Sequence, residues 1–303
     1  MLTLHNVTPF DLHEASNNAP EPEIVYQGGF SPQNRNELKQ AVTQCTEPSS
    51  GSYANPPART ATETDQFLAD LGYTRGLRIE IMNSLKQHAS RIWVLDNSGS
   101  MNCNDGSLFL PEKNKRISCT RWEELQNTMK FHLDLSEGLQ APCYLQLLNP
   151  GHDGQQFMSC SSSNAGEFKK EIAASWQTIK NTYPAALTPL SAQIHWINDY
   201  IRGQEAYLRE KGQRVCVILA TDGLPSDNPK NVQGGPEESF RQALNSLHEL
   251  PVWVVVRLLT DQENVVDYYN NLDQEVRYDV MLACTGISVC VFFLRQYQIQ
   301  ILA

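Results

Sequence analysis

The chain lacks the basic surface that a nucleic-acid backbone demands. Its 303 residues hold 24 lysines and arginines against 34 acids, a formal net charge of -10, and no basic stripe stands out against that balance. Charge of either sign is scarce: 19% of residues are charged, under the usual share of about a quarter, with Asn, Gln, Ser and Thr filling the gap. The eight cysteines include no C-x-x-C pair and are too few for a disulfide scaffold. They read as reduced thiols of an intracellular, cytoplasmic protein; Cys103 and Cys119, which flank one loop, are the pair a secreted chain would close. The opening residues, MLTLHNVTPFDLHEA, have no basic segment followed by an apolar run and do not read as a signal peptide. No G-x-x-x-x-G-K and no G-x-G-x-x-G occurs, which removes the common nucleotide cradles. Ser98 has no G-x-S-x-G frame, which removes a serine hydrolase of that type. The apolar run Val280–Leu294 is 15 residues long, short of a membrane span, so no span is expected and a tail anchor is the alternative.

Apolar residues make up 41% of the chain, enough for a sizeable core. They are unevenly placed. Residues 1–63 hold seven of the 16 prolines, between Pro9 and Pro57, with polar runs and no sustained period, and read as a disordered arm. Residues 64–89 form a lead-in with a helical stretch over Arg78–His88. The main domain, 90–279, opens on RIWVL, an uninterrupted apolar strand that ends at Asp96. Thr120 and Glu123 make a capping box for a helix with Trp122, Leu125 and Met129 on one face. Cys143–Leu148 and Gln156–Cys160 read as strands joined by a turn-rich connector that contains His152 and Asp153. Helices follow over about 166–181 and 191–202, the second with Ile194, Ile197 and Ile201 toward the core and His195 off it. VCVILA, ending before Thr221-Asp222-Gly223, and VWVVVRL are two more apolar strands, separated by a helix near 237–250. Asp261 is expected to cap a last helix running to Asn271. Apolar strands alternating with amphipathic helices predict a parallel sheet covered on both faces.

Ligands of open parallel sheets bind beyond the carboxyl ends of the strands. Asp96, with Ser98 and Ser100 behind it, stands at one such end. Asp222 stands at another, and the loop carrying Thr188 runs into the helix opened by Pro189-Leu190. Thr178 and Thr182 lie nearby, but neither leads directly into that helix. Two carboxylates and three hydroxyls make an all-oxygen donor set, suited to Mg2+, Mn2+ or Ca2+ and unsuited to zinc or copper. A replaceable water on such an ion can give way to a carboxylate from outside, which is binding chemistry, with no evident base or nucleophile for a reaction.

The strings VLDNSGSM, LTPL and ILATDG, in that order, resemble the metal-ion-dependent adhesion site of von Willebrand factor A domains, especially intracellular members, over about Ser90–Leu272. The resemblance implies a Rossmann-like three-layer α/β/α fold, mostly parallel with one antiparallel edge strand. It implies that Ser98, Ser100 and Thr188 ligate the metal, that Asp96 and Asp222 often act through water, and that an Asp or Glu of a protein partner completes the shell. The chain departs from the family after Leu272. Val289–Leu294 is the candidate for a last strand, but no amphipathic helix follows it, so the affinity switching of integrin-like members is not expected. Residues 280–303 form an apolar tail, either native or a truncated end.

Three further expectations follow. Residues 101–118 read as a solvated loop, or more sharply as a rim that selects partners. The chain is expected to be a monomer. It is expected not to be an enzyme; the alternative is a haloacid dehalogenase-like magnesium-dependent phosphatase, with Asp96 as nucleophile and Asp222 and Asp227 as ligands. That family has a second Asp two residues after the first, where this chain has Ser98. A scaffold with an unused site is the third reading.

Overall fold

In the computed structural model the described residues are 60–110, 114–227, 233–275 and 281–283. The arm, apart from its last four residues, and the tail beyond Ala283, including Val289–Leu294, lie outside them.

The apolar strands assemble as their sequences require. Strands β1 (His88–Leu95), β4 (Cys143–Leu147), β5 (Phe157–Cys160), β6 (Arg214–Thr221), β7 (Val252–Leu258) and β8 (Met281–Ala283) form one sheet in the order β5-β4-β1-β6-β7-β8. All neighbours run parallel except β5, which pairs antiparallel with β4 at the edge. β8 is the last described strand of the sheet, placed before the segment expected to supply it.

Both faces of the sheet are buried, which explains why β1, β6 and β7 show no polar alternation. Ile92, Val94, Val217, Leu219, Val254 and Val256 point to one layer. That layer consists of α5 (Leu190–Arg202), α7 (Gly235–Asn245) and α8 (Glu263–Glu275), with Ile194, Ile197, Ile201, Phe240 and Tyr269 as its anchors. Trp93, Leu95, Leu145, Leu147, Ile218 and Ala220 point the other way. They meet α3 (Arg121–Leu139) and α4 (Ala165–Asn181) through Trp122, Leu125, Met129, Phe168 and Ile172. The result is a three-layer α/β/α fold. A short helix, α6 (Glu205–Lys211), leads into β6.

Local signals account for several helix starts. The Thr120–Glu123 capping box closes in both directions, at 3.1 Å and 2.7 Å. Asn164 accepts from Gly166 and Glu167 to start α4. The last helix differs from expectation: it begins at Glu263, and Thr260, not Asp261, accepts the Gln262 amide.

Two helices precede the sheet, α1 (Ala61–Asp70) and α2 (Arg75–Gln87). The first begins inside the arm drawn to residue 63, because Thr60 and Glu63 form a second capping box. Leu68 and Ile81 bury against Leu135, Leu139 and Ala141 at the end of α3. Gly138 makes room for this contact: a Cβ there would stand 2.0 Å from the Phe67 ring. Alanine in a helix normally gains about 1 kcal/mol over glycine. Gly138→Ala is instead expected to lose about 1 kcal/mol, because the ring must move; a rise in urea midpoint would contradict this.

The segment 101–118 is not a solvated loop throughout. After a 3-10 turn (Gly99–Asn102), β2 (Gly106–Leu110) and β3 (Lys115–Cys119) pair as an antiparallel hairpin. Its base is fastened to the first turn of α3: the Ser107 amide donates to Glu124 at 3.0 Å and the Arg121 amide to the Cys103 carbonyl at 3.0 Å. These polar anchors, more than burial, hold it, which is why no apolar run marked it.

Candidate functional site

Parallel pairing puts the carboxyl ends of β1 and β6 side by side, with Leu95 opposite Ala220. The residue after β1 is therefore Asp96, whose amide donates to the Ala220 carbonyl at 2.9 Å. Its carboxylate is buried and held on both oxygens: Oδ1 accepts from the Ser98 amide at 2.8 Å and Oδ2 from the Thr221 hydroxyl at 2.6 Å. The chain turns here, and Ser98 and Ser100 come together, Oγ to Oγ at 3.1 Å. Ser100 then donates to Asp222 Oδ1 at 2.8 Å. Four of the five residues singled out by the sequence thus form one continuous hydrogen-bonded constellation.

Thr188 enters from a third loop. Its amide donates to the Ser226 hydroxyl at 2.7 Å and its carbonyl accepts from the Ser226 amide at 3.0 Å, which stitches it to the chain following Asp222. Its hydroxyl lies 3.9 Å from where a Cβ would stand on Gly223. The rest of this loop is tied down by main-chain contacts. Ala185 donates to the Asn97 carbonyl, Gly99 donates to the Ala186 carbonyl, and Asn149 donates to the carbonyls of Ala185 and Leu187. Asn102 and Trp122 hold the carbonyls of Pro184 and Thr182. Ala186 keeps a left-handed φ of 67° within this frame. The side chains of Tyr183 and Leu187 project outward, 80% and 65% exposed.

The electrostatics centre on two buried acids. Burial, and secondarily the negative charge of Asp222, push the Asp96 carboxyl up to about 6. Asp222 has a partner the sequence did not disclose. Arg121 Nη1 donates to Asp222 Oδ2 at 2.8 Å, while its Nε and Nη2 grip both oxygens of Asp105. The guanidinium is 2% exposed and Asp222 is fully buried, whereas Asp105 is 46% exposed. The hydrogen bond from Arg121 holds the Asp105 carboxyl below its ordinary range. One signal in the sequence could have found Arg121. A cation at the first residue of a helix opposes the macrodipole, so its position called for a reason other than helix stability.

Two other candidates are committed elsewhere. Asp227 accepts from the Ser191 amide and hydroxyl and from the Ala192 amide, capping the start of α5. His195 is an exposed helix-face residue, as expected. Cys103 and Cys119 are both free thiols. Asp153 accepts from Gln155 and Thr178, within the connector between β4 and β5.

The donors able to hold a cation are the carboxylates of Asp96 and Asp222 and the hydroxyls of Ser98, Ser100 and Thr188. Their chemistry fits a hard divalent ion. Among the described residues no three or more His, Cys, Asp or Glu side chains gather as a metal cluster, so a metal at this site would depend on hydroxyl donors.

No family model matches the chain, and no curated protein matches it. Solved structures do. The SpRpn10 VWA domain is 10% identical, with 69% of this chain and 94% of that one covered and a TM-score of 0.39. The PilB minor pilin from Streptococcus sanguinis is 12% identical, with 68% and 59% covered and a TM-score of 0.42. Proximal thread matrix protein 1 from the mussel byssus is 14% identical, with 56% and 38% covered and a TM-score of 0.33. The chain thus spans less than two thirds of the latter two structures.

Proposed function

We propose that this chain is a protein-interaction module in which a divalent cation, Mg2+ or Mn2+, held by Asp96, Ser98, Ser100, Thr188 and Asp222, captures an Asp or Glu side chain of a partner. The observation that carries the proposal is the constellation Asp96–Ser98–Ser100–Asp222 at the carboxyl ends of two adjacent parallel strands. Two buried like charges side by side are costly; Arg121 offsets part of that cost at Asp222, and a divalent ion would offset more. Hydroxyl donors add no charge, so the ion keeps its pull on an outside carboxylate. When bound, the metal supplies a Lewis-acidic coordination position. The protein's own part is to hold the oxygens in place: Thr221 and the Ser98 amide orient Asp96, Arg121 orients Asp222, and the main-chain frame of 182–188 fixes Thr188.

An intracellular setting for the module rests on the cysteine usage of the sequence, eight cysteines with no C-x-x-C pair. Among the described residues no helix is long and apolar enough to cross a membrane. The phosphatase alternative needs Asp227 as a metal ligand, and both its oxygens are occupied by the start of α5. Turnover of p-nitrophenyl phosphate that disappears in Asp96→Asn would favour it.

Calorimetric titration with Mn2+ and Mg2+ tests the proposal. We expect one site per chain with a dissociation constant in the millimolar range or below. Asp222→Ala is expected to weaken binding at least tenfold, as is the gentler double change Ser98→Ala with Ser100→Ala. Unchanged binding in these variants, or no binding by the unaltered chain, overturns the proposal.

A further inference from the structure

Arg121 is the feature that a metal-binding constellation does not by itself explain. It is a fully buried cation that shares Asp222 with the proposed metal. It also holds Asp105, which lies between the Gly99–Asn102 turn and β2, at the base of the hairpin. Gly106 presses against the same spot: a Cβ on it would stand 2.8 Å from the Thr120 carbonyl oxygen. The hairpin base, the start of α3 and Asp222 are thus joined through one guanidinium.

We propose that Arg121 is a positioning residue with two separable duties: its charge tunes how tightly the site holds a divalent ion, and its planar fork tethers the β2–β3 hairpin to the site. The inference rests on the metal-binding reading above. Asp96 and Asp222 alone would neutralise a divalent ion. Arg121 adds one buried positive charge next to them, so the loaded site carries a net single positive charge. Its remedy is an anion from outside, which is the role assigned to the partner's carboxylate. The resident cation therefore weakens metal binding when no partner is present and favours binding of the metal and an acidic group together. Asp105, half exposed, offsets part of that charge from the outer side.

The two duties separate by substitution. Arg121→Gln removes the charge and the fork. It is expected to raise Mn2+ affinity at least tenfold, a small share of the repulsion between a buried unit charge and a divalent ion a few ångströms away, since Asp105 and solvent offset the rest. Hydrogen exchange of the amides of 106–110 and 115–119 is expected to speed up roughly tenfold in the same variant. Arg121→Lys keeps the charge without the bidentate geometry. It is expected to return affinity to within about twofold of the parent while hairpin exchange stays fast. Asp105→Asn leaves Arg121 less offset and is expected to weaken Mn2+ binding about twofold, opposite in sign to Arg121→Gln, and to loosen the hairpin. A merely structural role would weaken metal binding in all three variants. Affinity that is unchanged or lowered in Arg121→Gln, or restored hairpin protection in Arg121→Lys, overturns the proposal. Should Arg121→Gln fail to fold, Arg121→Lys decides: a merely structural role weakens binding there, so affinity more than about twofold below the parent overturns the proposal. Absence of Mn2+ binding by the parent chain removes the metal reading and the charge-tuning duty together. Hairpin exchange then reports separately on the tether.

Discussion

Lowering the pH from 7 to 5, with chelator present, is expected to cost the domain about 3 kcal/mol of stability, mainly through two buried histidines. His88 opens β1 at the far end from Asp96, and His132 lies on the buried face of α3. Burial, then the positive charge of Arg91, lowers His88 from 6.5 to about 4. Burial, then Arg257 and Arg91, lowers His132 from 6.5 to about 3. The two rings lie beside a cavity of about 30 Å³ that Ser84, Arg91, Trp93 and Trp253 help to line, room for about one water. That is too little to hydrate an imidazolium. The folded state keeps both rings neutral, while the unfolded chain takes up protons from about pH 6.5 downward. Their contribution is therefore complete above pH 6.5 and is lost as the pH falls toward the folded values of about 4 and 3. At pH 5 each ring accounts for about 2 kcal/mol of loss. Asp96 works in the opposite direction. Its folded value of about 6 lies above the ordinary 3.8, so the cost of keeping it ionised fades as the pH falls through 6, returning about 1 kcal/mol at pH 5. Urea unfolding at the two pH values measures the sum. His132→Leu isolates its share: the drop between pH 7 and pH 5 is expected to shrink by about 2 kcal/mol. An equal drop in parent and variant would assign the pH dependence elsewhere.

Arg121→Met is expected to destabilise the metal-free domain by about 3–5 kcal/mol, the usual cost of leaving one member of a buried ion pair alone. Asp222, fully buried and already beside Asp96, would lose its ion pair with Arg121. Removing both charges avoids that penalty. The double variant Arg121→Met with Asp222→Leu is expected to be at least about 2 kcal/mol more stable than the sum of the single effects allows. Additive effects would mean that the pair contributes nothing in the folded state. Repeating the measurement with Mn2+ adds a check on the site, because the ion should restore more stability to Arg121→Met than to the parent.

Sequence and structure agree where a strong physical pattern was present. Uninterrupted apolar runs had to be strands buried on both faces, and the first carboxylates after them, Asp96 and Asp222, had to stand at strand ends. The two serines followed from their short spacing from Asp96. Thr188 was placed by the helix that begins after it, and its hydrogen bonds to Ser226 run through its main chain. Arg121 escaped notice because an arginine in a helical segment ordinarily belongs to the solvated face. Its burial follows from contacts with Asp105 and Asp222, 16 and 101 residues away along the chain. The hairpin escaped for a related reason. Leu108, Phe109 and Ile117 are too few to mark a core strand, and Phe109 remains exposed; its fastening is polar and comes from α3. The start of α1 was masked by the proline-rich composition before it, although Thr60 and Glu63 carry the same capping pattern that marked α3.

The loop between Thr182 and Thr188 has a consequence of its own. Its course is fixed by hydrogen bonds between its peptide groups and Asn97, Gly99, Asn102, Trp122, Asn149 and Ser226, while the scaffold makes little use of the side chains at 183 and 187. Shape and sequence are thereby uncoupled beside the site. Changes at Tyr183 or Leu187 alter what the surface displays without altering where it is displayed. A segment held in this way loses little conformational freedom when something settles on it, so less of the contact made there is spent on ordering the loop.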